Sequence, residues 1–262
     1  MGEIFFPGDS YDTPDGRKKF WQSQFSYIWL MLYSRKIVKD SGMRAKAGNY
    51  TGEDWSRASF YSLQSMEALG IRLHVRGMDN LDKVDGPCVF VSNHMSTMET
   101  TILPVFIQPR KDVTFVVKES LMHYHWFKWI LMARQAIVIR RENPREDFTV
   151  MMNEGMARIE KGMSVVVFPQ GTRQTGFDAS GFNSIGVKLA KKAGVPVIPI
   201  ALRTDTLSMG KIVKDLGRIR PEIPARFLFG EPVYVSGTGK AEHAGICEFI
   251  AENLRTWGVS VT

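Results

Sequence analysis

A chain of 262 residues with 44% hydrophobic and 23% charged side chains is long enough to bury a sizeable core, which excludes a disordered chain. Its net charge of +7 suits anionic surfaces or anionic substrates, and by itself leaves both membranes and nucleic acid open as partners. Two cysteines, Cys88 and Cys247, lie far apart with neither CxxC nor metal spacing, which fits a reducing compartment and gives neither a catalytic role.

Residues 1–19 read as an irregular polar lead. Phe20, Trp21, Phe25, Ile28, Trp29 and Leu32 then recur at helical spacing ahead of Arg35, Lys36 and Lys39. This aromatic amphipathic helix with a basic end either lies in a membrane interface or covers the main domain. Residues 40–52, with Gly42, Gly48 and Gly52, read as a linker, and Trp55 to Leu69 as a second helix stopped by Gly70. The domain boundary is placed there: residues 1–70 form a lead and a two-helix segment, and residues 71–262 an α/β domain. Apolar runs at Ile71–Val75, Cys88–Ser92, Val113–Val117, Ala136–Ile139, Ser164–Phe168, Val195–Leu202 and Arg226–Phe229 alternate with helical patterns at 97–107, 120–133, 146–161 and 183–193. Such alternation predicts a central mixed sheet flanked by helices. Ala241 to Trp257 closes the chain as a helix with an apolar stripe at Ile246, Phe249, Ile250 and Leu254.

No stretch reaches the roughly 18–20 apolar residues that a membrane span needs. No cationic leader opens the chain, and Phe6 stands where myristoylation requires Ser or Thr. Membrane contact is therefore expected to be peripheral, at the cytoplasmic face.

The stretch Val89 to Glu99 reads as strand, turn and helix, with His94 in the turn and Glu99 in the first helical turns. Five residues apart on one helix the two side chains would diverge; across a turn they meet. The helix amino end favours the carboxylate by about 0.3–1 kcal/mol. A carboxylate on one ring nitrogen leaves the other as a proton acceptor, so the pair is able to take a proton from a hydroxyl. The bland reading is a histidine that only hydrogen-bonds at a strand end. A second loop, Phe168-Pro169-Gln170-Gly171-Thr172-Arg173, also follows an apolar strand, which suits one shared crevice at the strand ends. Arg173 there is suited to grip a phosphate bidentately, against the plainer reading of a loop-fixing salt bridge. The aromatic and basic run His123 to Trp129 suits an interface lip or packing rather than metal, since His123 and His125 lack a third ligand. Arg203, Lys211, Lys214, Arg218, Arg220 and Arg226 make 203–226 a basic region suited to anionic headgroups, or simply a solvated face. No G-x-S-x-G, P-loop or dinucleotide fingerprint occurs.

Together these blocks resemble the glycerolipid acyltransferase family, with its NHxxxxD and FPEGTR signatures. The resemblance spans about Ile71 to Phe229, and Lys118-Glu119-x-Leu121 with Ile137 to Arg141, and Val195 to Ile200, match two further family blocks in order. Glu99 departs from the usual aspartate, and Gln170 from the usual glutamate, which removes a charge beside Arg173. The resemblance implies an amino-terminal helical hairpin before the sheet. It also implies transfer of a fatty acyl group from acyl-CoA or acyl carrier protein to the free hydroxyl of 1-acyl-sn-glycerol 3-phosphate, giving phosphatidic acid. His94 would be the base and Glu99 its orienter. Asn93, Lys118, Gly171, Thr172 and Arg173 would contact substrate, Lys118 as a second phosphate contact. No metal and no cofactor beyond the thioester co-substrate is expected. The partners implied are the thioester carrier, a lysophospholipid acceptor and an anionic membrane surface. Two alternatives stay open: another acceptor, such as glycerol 3-phosphate, a lysophospholipid or a lyso-aminolipid, or a peripheral lipid-binding protein without turnover. A nucleic-acid module is disfavoured, since no RNA motif or recognition helix stands in the sequence.

Overall fold

A computed structural model describes residues 4–210 and 217–262. Its strands are β1 (Tyr11–Asp12), β2 (Leu73–Arg76), β3 (Val89–Ser92), β4 (Val113–Lys118), β5 (Ile137–Ile139), β6 (Ser164–Val167), β7 (Val197–Arg203) and β8 (Ala225–Phe229). They form one sheet in the order β1-β2-β8-β7-β3-β6-β4-β5. The run β7-β3-β6-β4-β5 is parallel, β8 is antiparallel to β7, and β1 is antiparallel to β2. The expected mixed sheet is therefore present, and β3 and β6 lie in its middle with every residue buried.

Burial on both faces is what continuous valine-rich runs in parallel strands require. Phe90 and Val166 face α3 (Gly52–Ala68) and α4 (Met98–Ile107), packing with Leu63, Met66, Ile102 and Phe106. Val89, Val91, Val165 and Val167 face the opposite layer of α6 (Pro144–Glu160), α7 (Ile185–Ala193) and α8 (Lys240–Thr256). The alternation of side chains along each strand supplies both cores from the same residues.

The amino-terminal segment is more integrated than an appended lead. Tyr11 and Asp12 pair with Val75 and His74 as an edge strand, and Leu63, Met66 and Leu69 belong to the main core. The expected linker at 40–52 shrinks to a few residues, because α2 runs from Ser26 to Lys46 after the short α1 (Phe20–Gln24). Gly42 sits inside that helix for packing: a Cβ there would come within 2.5 Å of the Trp126 carbonyl oxygen. Helix α3 starts earlier than Trp55, since Thr51 and Asp54 form a reciprocal cap, Asp54 N donating to Thr51 Oγ1 at 3.2 Å and Thr51 N to the Asp54 carboxylate at 3.0 Å. The expected helix at 120–133 is a 3-10 turn, Glu119–His123, and then α5 (Phe127–Ala133). The aromatic run between them, of weak helix propensity, breaks the pattern.

The aromatic stripe at 20–32 divides. Trp29 and Leu30 pack inward, whereas Phe20, Trp21, Phe25, Ile28 and Leu32 are exposed. Among the described residues no helix is long and apolar enough to cross a membrane.

Candidate active site

Strands β3, β6, β4 and β7 run parallel, so their carboxyl ends share one edge of the sheet. His94 follows β3, Phe168 to Arg173 follow β6, Lys118 ends β4, and Thr204 follows β7. The topology thus gathers four segments in the crevice outside the strand ends, where ligands of open α/β sheets collect.

His94 Nδ1 lies 2.8 Å from Glu99 Oε1, so the two expected partners meet across the turn. Glu99 is wholly buried. Oε1 also accepts from the backbone N–H groups of Met95 at 2.6 Å and Ser96 at 2.9 Å, while Oε2 accepts from Ser96 Oγ at 3.0 Å and Thr204 Oγ1 at 2.6 Å. Burial alone would push this carboxyl up. The hydrogen bond and charge of His94, helped by the donors of Thr204 and Ser96, outweigh it and hold the group below the usual carboxylate range. An ionised Glu99 draws the proton of the neutral imidazole to Nδ1, which leaves Nε2 as acceptor. The ring is stacked on Phe168, centroids 4.4 Å apart, and its side chain keeps 16% exposure. Stacked and hydrogen-bonded, it presents a base to the crevice without freedom to turn away.

The loop after β6 reaches back to the same histidine. Gln170 Oε1 accepts from the His94 backbone N–H at 2.8 Å, and Gln170 Nε2 donates to Gln174 Oε1 at 2.9 Å. The Gln174 backbone N–H in turn donates to the His94 carbonyl at 2.9 Å, closing a ring that ties the two loops together. An amide oxygen serves the first of these bonds as a carboxylate oxygen would, so glutamine in place of the usual glutamate acts on the histidine loop. Gly171 adopts φ +72°, a left-handed turn that glycine accepts without strain. Thr172 is exposed and Arg173 half-buried in the same turn, and Lys118 is exposed at the end of the adjacent strand β4, two strands and about 10 Å by strand spacing from the end of β3.

Asn93 has a different task from the expected substrate contact. It is buried, with Nδ2 donating to the Leu202 carbonyl at 2.8 Å and Leu202 N donating to Oδ1 at 2.8 Å. Both ends of the amide are occupied in joining β3 to β7, which sets the height of His94 above the sheet. The backbone N–H groups of Arg140 and Arg141 donate to the Asp147 carboxylate, which gives that turn a structural role. Cys88 is buried, which pushes its thiol up to about 12, away from nucleophilic use. Lys211 and Lys214 of the basic region lie outside the described residues. Among the described residues no cluster of three or more His, Cys, Asp or Glu is placed to hold a metal.

Sequence reasoning missed Thr204 and Ser96 and the tasks of Phe168 and Gln170. Thr204 stood in a stretch read only as basic, although a polar residue directly after an apolar strand is a signal for the crevice. Thr204→Val is expected to leave Glu99 Oε2 with one donor fewer and to lower stability by about 1–3 kcal/mol, with Thr204→Ser close to wild type. Denaturant melts of the two variants check this; equal melts would deny the bond its weight.

Residues 72–203, about half of the chain, match the protein family described as Acyltransferase. The chain is 34% identical over 179 residues to the 1-acyl-sn-glycerol-3-phosphate acyltransferase of Pseudomonas aeruginosa, covering 68% of this chain and 66% of that one. It is 28% identical over 153 residues to the human 1-acyl-sn-glycerol-3-phosphate acyltransferase beta, covering 58% and 54%. The chain thus spans about two thirds or less of the length of these relatives. The crystal structure of the 1-acyl-sn-glycerophosphate acyltransferase from Thermotoga maritima shares the fold, with a TM-score of 0.65 at 19% identity over 89% of this chain and 97% of that one.

Proposed function

The chain belongs to the acyltransferase family, and from that premise we propose that it moves a fatty acyl group from a thioester to the free hydroxyl of 1-acyl-sn-glycerol 3-phosphate, giving phosphatidic acid. The observation that carries the reading is the His94–Glu99 pair, held at 2.8 Å beyond the strand ends with the histidine side chain partly exposed.

In the proposed step, His94 Nε2 takes the proton of the acceptor hydroxyl as its oxygen attacks the thioester carbon. The resulting oxyanion collapses, the C–S bond breaks, and the imidazolium returns the proton to the leaving thiolate. Glu99 keeps the ring oriented and stabilises the transient cation. The Gly171 backbone N–H closes the turn onto the Phe168 carbonyl at 3.2 Å, so Thr172 is the proposed backbone donor near the phosphate or the oxyanion, and Arg173 and Lys118 are the proposed phosphate contacts. The donor is acyl-CoA or acyl carrier protein, both of which present the same thioester. Peripheral contact with an anionic membrane surface is part of the reading, supported by the exposed side chains of Phe20, Trp21, Phe25, Ile28 and Leu32.

The test is thioester consumption by the purified protein, with each donor, against 1-acyl-sn-glycerol 3-phosphate, glycerol 3-phosphate and lysophospholipids. No turnover with any pair would overturn the reading in favour of lipid binding without catalysis. Arg173→Ala is expected to raise KM for the phosphate-bearing acceptor by about 10- to 100-fold, with a smaller change for acceptors that lack a phosphomonoester. An equal loss across all acceptors would remove Arg173 from phosphate recognition.

A further inference from the structure

We infer that the cavity between the lead segment, α2 and α3 is a second lipid site, which takes the phosphate-bearing headgroup of an anionic glycerophospholipid. The cavity holds about 520 Å³ and its lining includes Arg17, Lys19, Gln22, Trp29, Tyr33 and Ser65. None of these takes part in the bonds around His94 and Glu99.

Three polar atoms around this one cavity are buried without a hydrogen-bond partner among the described residues: Trp29 Nε1, Ser65 Oγ and Gln22 Oε1. Ser65 is only 4% exposed. A helical serine commonly gives its hydroxyl proton to the carbonyl one turn back, and Ser62 in the same helix does so, to Ala58 at 3.1 Å. Ser65 does not. Buried polar groups in native proteins are overwhelmingly hydrogen-bonded, so three orphans on one cavity mark a place where a ligand completes the set.

The chemistry of the orphans selects the ligand. Indole N–H and serine hydroxyl are donors, and a flipped Gln22 amide supplies another. Arg17 and Lys19 add positive charge at the rim. Each carboxylate there faces a cation: Glu67 accepts from Tyr11 through Oε1 at 2.5 Å, its buried Oε2 has no hydrogen bond and lies 3.6 Å from Arg17, and Asp15, which lines the cavity, pairs with Arg72 at 2.5 Å. A group rich in anionic oxygen, a phosphate ester, suits such a set. The surroundings point to a lipid as its carrier. Ile28 and Leu32, both exposed, each precede a lining residue, Trp29 and Tyr33, and so stand about 100° round the same helix. With the headgroup in the cavity, the acyl chains lie along that apolar strip, beside Phe25 and Trp21.

The location rests on the membrane-surface reading given above, but binding here needs no catalysis, so the two fail separately. The experiment is flotation of the full chain with phosphatidylcholine vesicles, with and without phosphatidic acid, alongside thioester turnover with a soluble short-chain acceptor. Phosphatidic acid is expected to raise wild-type partitioning by about tenfold. Trp29→Phe with Ser65→Ala, which keeps an aromatic ring at position 29 and removes both donors, is expected to abolish that increment while binding to phosphatidylcholine alone holds and the protein stays folded in a parallel thermal melt. Lys19→Gln, at an exposed position, is the second variant and is expected to reduce the increment about threefold. Displacement by glycerol 3-phosphate would support a site that reads the phosphate ester itself, and resistance to it would support one that needs the lipid in its membrane. Full retention of the increment in the Trp29/Ser65 variant overturns the proposal, whatever the turnover assay returns.

Discussion

Replacement of His94 by alanine is expected to lower the rate of acyl transfer by about 10²–10⁴-fold, the usual weight of a general base. The loss should fall on kcat with KM for the acceptor little changed, because the ring takes its proton only in the transition state. The fold should survive. The Glu99 carboxylate keeps its bonds from Met95, Ser96 and Thr204, and the loop keeps the backbone bonds to Gln170 and Gln174. The His94 ring stands at the crevice mouth, so its removal opens the mouth rather than a sealed core cavity. A parallel thermal melt separates lost chemistry from lost structure. Activity within about tenfold of wild type in a well-folded His94→Ala protein would place the base elsewhere.

Glu99→Gln should be nearly as damaging to turnover, for a different reason. In the comparable Ser-His-Asp arrangement, loss of the orienting carboxylate costs about 10⁴-fold because the imidazole adopts the wrong tautomer. Here the amide would also set N–H groups against a pocket of donors. Oε1 accepts three bonds and Oε2 two, all in a site closed to water. Stranding any of them costs about 1–3 kcal/mol. The same carboxylate shapes the dependence of stability on pH. Its folded value lies below the ordinary value of 4.5. The stability it contributes is therefore fully present above about pH 4.5 and is lost as the pH falls through the lower folded value. Glu99→Gln should be less stable than wild type at neutral pH, and the gap should close in acid. Urea melts across that range check the sign; a gap that widened in acid would mean that Glu99 is protonated in the folded protein. The bonds also account for glutamate where the family has aspartate. The longer arm reaches His94 through Oε1 while Oε2 still meets Thr204, and the shorter arm of Glu99→Asp would be expected to give up one of the two.

The meeting of His94 and Glu99 was legible in the sequence because it is local. His94 and Glu99 stand on either side of one strand-to-helix turn, and the alternation of valine-rich runs with helical stripes set the α/β class, most element positions and the strand-end placement of the loop at 168–173. What completes the site comes from far along the chain. Thr204 reaches Glu99 across 105 residues, Asn93 joins Leu202 across 109, and Gln170 takes the His94 backbone N–H across 76. Periodicity within a segment reports which face is apolar, but which strand ends become neighbours depends on sheet order, and that order follows from burying two opposite faces at once. The amino-terminal helices show the same limit. Their spacing established an aromatic amphipathic segment, equally suited to covering the domain or to facing a membrane. Only the packing of α2 against α3 and α5 decided that Trp29 and Leu30 turn inward while Trp21, Phe25, Ile28 and Leu32 remain on the surface, because a stripe in sequence does not say which of its edges meets the core.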